Sequence, residues 1–211
     1  MVQTLANVRI PAKLTRVLAI LSLSTIVVSS DGFTSLGAVS ANERQIPDEL
    51  IETVRNWAQH PTTIITVQYW NDRHDSISDA DIERLDRQWK KERGETSKPL
   101  IARISGSPLS SFLLRKKAHL GGRLFESFVT DSYGLTVGFS SVTSDYLQGD
   151  EAKFQESFGA GPNGIHFGPV ERKADTGHRT QQVSITITDP GTNEPIGAII
   201  AEFNLDVIRL Y

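Results

Sequence analysis

Residues 124–139 read LFESFVTDSYGLTVGF, and the fold follows from how this stretch is parsed. Asp131-Ser132-Tyr133-Gly134 is a turn sequence, with a glycine free to take positive φ. Leu124 to Thr130 precedes it as a strand. Leu135, Val137 and Phe139 follow at period two, so the two arms form a hairpin. The same periodicity returns downstream. Val183, Ile185 and Ile187 alternate with polar residues, and residues 189–194 (DPGTNE) are a turn. From Ile196 to Leu205 the chain is apolar at both odd and even positions. That pattern belongs to a strand buried on both faces, hence one in the middle of a sheet. His166 to Arg172 supplies a further strand, and Asp150 to Phe158 a short helix inserted between the second and third strands. The sum is five strands, mostly antiparallel.

Upstream the period changes to 3.6. Pro47 and Asp48 open a helix whose apolar face is Leu50, Ile51, Val54, Trp57 and Ala58. Pro61 suits a first helical position. The β-branched run Thr62 to Val67 leaves helix and strand both open for residues 62–76. Ser78 with Asp81 resembles a capping box, followed by the stripe Ile82, Leu85, Trp89. Lys90, Lys91 and Arg93 complement the negative end of that helix. Glu95 to Pro99 breaks it, and Pro108 to about His119 is another helix. The fold class expected is α+β, with N-terminal helices packed on a five-stranded antiparallel sheet.

The chain has 211 residues, 22 basic and 25 acidic, a formal charge of −3 and no cysteine. Disulfides, thiolate metal sites and cysteine nucleophiles are therefore excluded. The weak acidity gives no footprint for nucleic acid. Arg9, Lys13 and Arg16 precede an apolar run from Val17 to Val28, too short to span a bilayer comfortably. Val39-Ser40-Ala41 follows as a small-residue cleavage site. Residues 1–41 thus read as a signal peptide, with an uncleaved anchor as the alternative. Residues 42–120 form a helical part and 121–211 a sheet domain, together one structural unit. Absence of disulfides and of any Asn-x-Ser/Thr acceptor fits a bacterial periplasm or secretion.

Several catalytic-looking motifs fail on context. Gly159-x-Gly161-x-x-Gly164 follows a helix rather than a strand, and Pro162 lacks a backbone N–H that a phosphate would need. Asp175-Thr176-Gly177 lies among Lys173, His178 and Arg179 and reads as a hairpin turn. Asp79-Ala80-Asp81 has Arg84 where a calcium loop needs glycine. No histidines pair at zinc spacing, so no metal or other cofactor is expected. His60, His74, His119 and His178 read as surface residues, while His166 sits where it can point inward. Thr143 to Glu151 is richer. It reads equally as an elaborate helix cap or as the wall of a polar pocket. In the second reading Tyr146 and Phe154 supply apolar area and Gln148, Asp150 or Glu151 fixes a ligand.

The order VTDSYGLTVGFSSVTSDYLQGDEAKFQESF, then HFGPVERKADTGHRTQQVSITITDPGTNEPIGAIIAEFNLD, resembles the bacterial extracytoplasmic Cache (PAS-like, PDC-type) sensor domains. The likeness covers residues 121–206. It implies a PAS-like five-stranded sheet and a small-molecule pocket between sheet, inserted helix and the following loop. With the residue reading above, the expected ligand-contacting set is Tyr146, Gln148, Asp150, Glu151, Lys153, Phe154 and His166. Some members place an arginine and an aromatic early in the inserted helix for a ligand carboxylate. Here that place reads Asp150-Glu151-Ala152-Lys153-Phe154, so only Lys153 can serve an anion, against two acids. An amine, a zwitterion or no ligand fits as well. Receptors of this kind continue into a membrane helix and transmitter, whereas this sequence ends at Tyr211. The expectation is a free-standing periplasmic sensory module acting through a separate membrane-bound transmitter. A small periplasmic enzyme and a non-binding structural or interaction module are the alternatives.

Overall fold

The computed structural model describes residues 44–210. The signal-peptide reading of residues 1–41 lies outside the described residues. Among the described residues no helix is long and apolar enough to cross a membrane.

Helix α1 (Asp48–Ala58) buries Leu50, Ile51, Val54, Trp57 and Ala58, the face set by their spacing. Helix α2 (Pro61–His74) resolves the ambiguity of residues 62–76 in favour of helix. Its β-branched residues are accommodated by side-chain bonding. Thr66 Oγ1 donates to Thr62 O at 2.7 Å and Thr63 Oγ1 to Trp57 O at 2.7 Å. His60 Nδ1 accepts from Thr62 N at 3.2 Å, and burial of Ile64, Val67 and Trp70 outweighs the weak propensity. Helix α3 (Asp79–Glu92) starts at the expected cap, where Ser78 Oγ accepts from Asp81 N at 3.1 Å.

Helix α4 (Pro99–Ser105) was not foreseen in the sequence, and α5 (Pro108–His119) follows it. The start of α4 has no local cap. Its first N–H groups are taken by the Glu92 carboxylate, which accepts from Leu100 N at 3.2 Å and Ile101 N at 2.9 Å. A seven-residue helix capped from the end of the preceding one leaves no local signal beyond Pro99 at its first position.

The sheet contains β1 (Leu124–Asp131), β2 (Thr136–Phe139), β3 (Ile165–Phe167), β4 (Glu171–Arg172), β5 (Arg179–Thr188) and β6 (Pro195–Asn204). Its order is β2-β1-β6-β5-β3, with the short β4 also on β5, and every pairing is antiparallel. The expected α+β class is what the chain adopts, and the doubly apolar β6 is the central strand. The expected strand 166–172 is interrupted because Gly168-Pro169 intervenes and proline has no N–H for the ladder. The first turn is tight: Gly134 has φ +75, and a Cβ there would lie 2.2 Å from the Gly149 Cα. The expected helix Asp150–Phe158 is only one turn, α6 (Ala152–Gln155), followed by a 3-10 turn at Phe158–Ala160. Between them the chain is drawn onto the sheet, since Thr186 Oγ1 donates to Ser157 O at 2.9 Å. A last single turn, α7 (Leu205–Ile208), closes the chain.

Register settles which residues share a face. A Cβ on Gly138 would strike Leu109 of α5, and one on Gly197 would approach Val67 of α2. Gly138 pairs with Val129, and Gly197 with Asp131 and Ile187. The rows Val129–Ile199–Ile185 and Ser127–Ala201–Val183 therefore face the helical layer. The intervening rows face the other way, toward the inserted segment.

Candidate functional site

The face turned from the helices is built in rows. Thr130, Ala198 and Thr186 form one; Phe128, Ile200, Ser184 and His166 the next; Glu126, Glu202 and Gln182 the third. Thr180 stands beyond them, opposite Asn204. The first row lies under the inserted segment, where Phe154 stacks on Phe158 at 4.8 Å and Ser157 docks on Thr186. Aromatic rings therefore occupy the space expected to be hollow there.

The sequence-expected residues divide into two groups. Tyr146 and Gln148 are each 1% exposed; Tyr146 is held against α3, and Gln148 against Asp145 and the β1–β2 turn. Asp86 Oδ1 accepts from Tyr146 N at 2.9 Å and Leu147 N at 3.1 Å, and Lys90 Nζ pairs with Asp86 Oδ2 at 2.6 Å. The Tyr146 ring lies 5.5 Å from that of Trp89, and burial followed by the Asp131 charge raises its phenol well above the usual range. The Gln148 amide donates to the carboxylate and carbonyl of Asp145. Asp150 is exposed and Glu151 half-buried.

Lys153, Phe154 and His166 form the second group. Lys153 Nζ sits 5.4 Å from the Phe128 ring centroid and 2.8 Å from Glu151 Oε2. His166 Nδ1 lies 2.7 Å from Glu156 Oε2. Register brings His166 to the Phe128 row, and the ring contact brings Lys153 there.

The third row was missed in the sequence. Glu202 is 1% exposed; its Oε1 lies 2.7 Å from Lys173 Nζ, while its Oε2 has no partner. Thr180 Oγ1 and Ser184 Oγ, both fully buried, are also unpartnered. A cavity of about 20 Å³ opens beside Glu202, Thr180 and Gln182, under Gly168 and Pro169. That volume holds about one water molecule. Buried polar atoms without partners cost about 1–3 kcal/mol each, so three on one face are unusual. One sequence signal was available. Thr180, Gln182, Ser184, Thr186 and Thr188 form a period-two polar stripe, and Glu202 interrupts an apolar run.

Glu126 stands beside Glu202. Burial first, and the Glu202 charge second, push its carboxyl above the usual range, with Lys173, Lys153 and Lys117 opposing. A raised pKa in the folded state means the folded chain holds that proton more tightly than the unfolded one. This contribution is complete below the unfolded pKa and is lost as pH rises through the folded pKa. The Glu126→Gln variant is therefore expected to melt about 2 °C above the parent at neutral pH. The difference should vanish in acid. A variant less stable than the parent at neutral pH would contradict this assignment.

Among the described residues no group of three or more His, Asp or Glu is placed to hold a metal ion. His74, expected at the surface, is buried with its Nδ1 2.5 Å from Asp131 Oδ2.

No family model matches the sequence, and no curated protein does. Solved structures do, and they are sensory domains. The Campylobacter jejuni chemoreceptor Tlp3 sensory domain, with isoleucine bound, is 13% identical with a TM-score of 0.37, over 76% of this chain and 63% of that one. The Vibrio cholerae histidine kinase DctB sensor domain is 12% identical, TM-score 0.37, over 77% and 58%. The Pseudomonas aeruginosa chemoreceptor PctC ligand-binding domain, in complex with GABA, is 13% identical, TM-score 0.35, over 77% and 62%. The chain spans less than two thirds of each. At these scores the functional reading rests on the site itself.

Proposed function

We propose that the chain is an extracytoplasmic sensory module of the Cache kind that binds a small amine or zwitterion and passes the signal to a separate membrane-bound transmitter. The observation that supports it is the set of unpartnered polar atoms on the outer sheet face: Glu202 Oε2, Thr180 Oγ1 and Ser184 Oγ. Two carboxylates, Glu126 and Glu202, adjoin them, and the nearest ammonium groups are already engaged, Lys173 by Glu202 and Lys153 by Glu151. A ligand ammonium would meet Glu202 Oε2, while Thr180 and Ser184 offer hydroxyls to its polar groups. His166, Lys153 and Phe154 form the adjoining wall. Of the other expected residues, Glu151 joins the wall through Lys153 and Asp150 lies exposed beside it, while Tyr146 and Gln148 stand apart from it. With about 20 Å³ open at Glu202, entry requires the Gly168–Pro169 segment to lift.

Thermal unfolding against amino acids, amines and carboxylates tests the proposal. A cognate ligand at a hundredfold excess over its Kd is expected to raise Tm by about 5–10 °C. Thr180→Val removes a hydroxyl that has no partner, so the unliganded variant should melt at or slightly above the parent temperature while losing most of the ligand response. A flat response across all three classes, or a full response in both Thr180→Val and Glu202→Gln, would sink the reading.

A further inference from the structure

The helical layer carries a separate concave site that the sensory reading does not use. Phe112, Arg115, Lys116 and His119 stand at i, i+3, i+4 and i+7 of α5, hence on one stripe of that helix. Together they line an open surface hollow of about 340 Å³, with Arg115 and His119 exposed and Lys116 half-buried. A second hollow of about 230 Å³ shares Lys116 and His119 as walls and adds Arg123, Trp57 and Glu49. The floor of the first is held rigidly. The Phe112 ring stacks on His60, with centroids 4.3 Å apart and planes at 26°, and Lys116 Nζ is 5.1 Å from its centroid. The aromatic face thus positions the ammonium.

None of Arg115, Lys116 and His119 has an ion-pair partner among the described residues. Lys117, next in sequence, is turned aside and donates to Ser141 Oγ at 2.7 Å. Basic residues in a last turn favour the helix dipole, which explains charge near the end of α5. It does not explain their gathering around an aromatic-floored hollow. In a chain of net charge −3, this is a local field of opposite sign.

We infer that this stripe is a binding site for a polyvalent oxyanion of the phosphate type. A guanidinium fork matches two oxygens of one tetrahedral group, and the neighbouring ammonium supplies a second charge that a monovalent carboxylate would leave unbalanced. Glu49, on the wall of the second hollow, confines the anion to the Arg115 side. The same group occurs free in small phosphates and on anionic lipid headgroups.

Two probes separate these sources: inorganic pyrophosphate by titration calorimetry, and sedimentation with phosphatidylcholine vesicles with and without phosphatidylglycerol. The intact chain at low ionic strength is used for both. The double variant Arg115→Ala/Lys116→Ala is compared with Lys91→Ala/Lys98→Ala, which removes the same charge from α3 and the turn after it. Saturable pyrophosphate binding, weakened about tenfold or more only in the α5 variant, supports the site with a free anion as ligand. Binding to anionic vesicles alone, lost only in the α5 variant, supports it with a headgroup as ligand. No saturable binding to either probe, or equal losses in both variants, overturns it. Far-UV circular dichroism and Tm establish that the variants are folded.

Discussion

The Asp131→Ala variant is expected to melt about 10–15 °C below the parent chain. Asp131 is fully buried at the end of β1. Its Oδ2 meets His74 Nδ1 at 2.5 Å, and its Oδ1 accepts from Tyr133 N and Leu135 N, both at 2.9 Å. One carboxyl therefore shapes the β1–β2 turn and ties it to the end of α2. Alanine strands an imidazole and two backbone N–H groups at once. The expected cost is about 3–5 kcal/mol. Against a typical domain stability of about 5–15 kcal/mol, that is a large share. Asn at the same position can still accept both N–H bonds, so Asp131→Asn should lose less than half as much. Urea and thermal unfolding measure both variants. A loss under about 2 °C in the alanine variant would show that the turn forms without this anchor.

Glu92→Ala should cost about 2–4 kcal/mol, and its effect should depend on pH. Glu92 ends α3 and is 5% exposed. Beyond its bonds to Leu100 N and Ile101 N, its Oε1 accepts from Gln88 Nε2 at 2.7 Å. Burial by itself would raise this carboxyl. The Ile101 N–H, the Gln88 amide and the Leu100 N–H together hold it below the usual carboxylate range. A depressed pKa in the folded state means the unfolded chain takes up the proton first. The stabilisation is present above the unfolded pKa and disappears as pH falls through the folded one. The parent should thus lose stability in acid more steeply than Glu92→Gln, which has no such proton to bind. The two unfolding curves, followed from neutral pH downward, should converge. Parallel curves would mean that the charge on Glu92 contributes nothing to the start of α4.

These two sites differ in how far they could be read in advance. Ser78 with Asp81, and the face of α1, depend on neighbours within one or two helical turns, so spacing alone locates them. Glu92 resembles any acid near the end of a charged helix until Leu100 and Ile101 are seen beside it. Asp131 reads as a turn former, which it is. That it also holds His74 depends on α2 lying across the end of β1, and His74 looks like a surface residue in the sequence for that reason. The one-turn α6 is a similar case. Local composition favours a longer helix, but docking of Ser157 onto Thr186 ends it.

The candidate site shows the same division. Periodicity alone established an α+β chain with a doubly buried last strand, and it located the hairpin around Gly134 and the helix from Pro108 to about His119. Period and spacing are local quantities, fixed by the geometry of one strand or one helix. Only the tertiary structure set Glu126 beside Glu202, left Thr180 and Ser184 without partners on the same face, and filled the space over Thr186 with Phe154 and Phe158. Those arrangements depend on register and on what covers each face, and both are decided by packing between segments far apart in the chain.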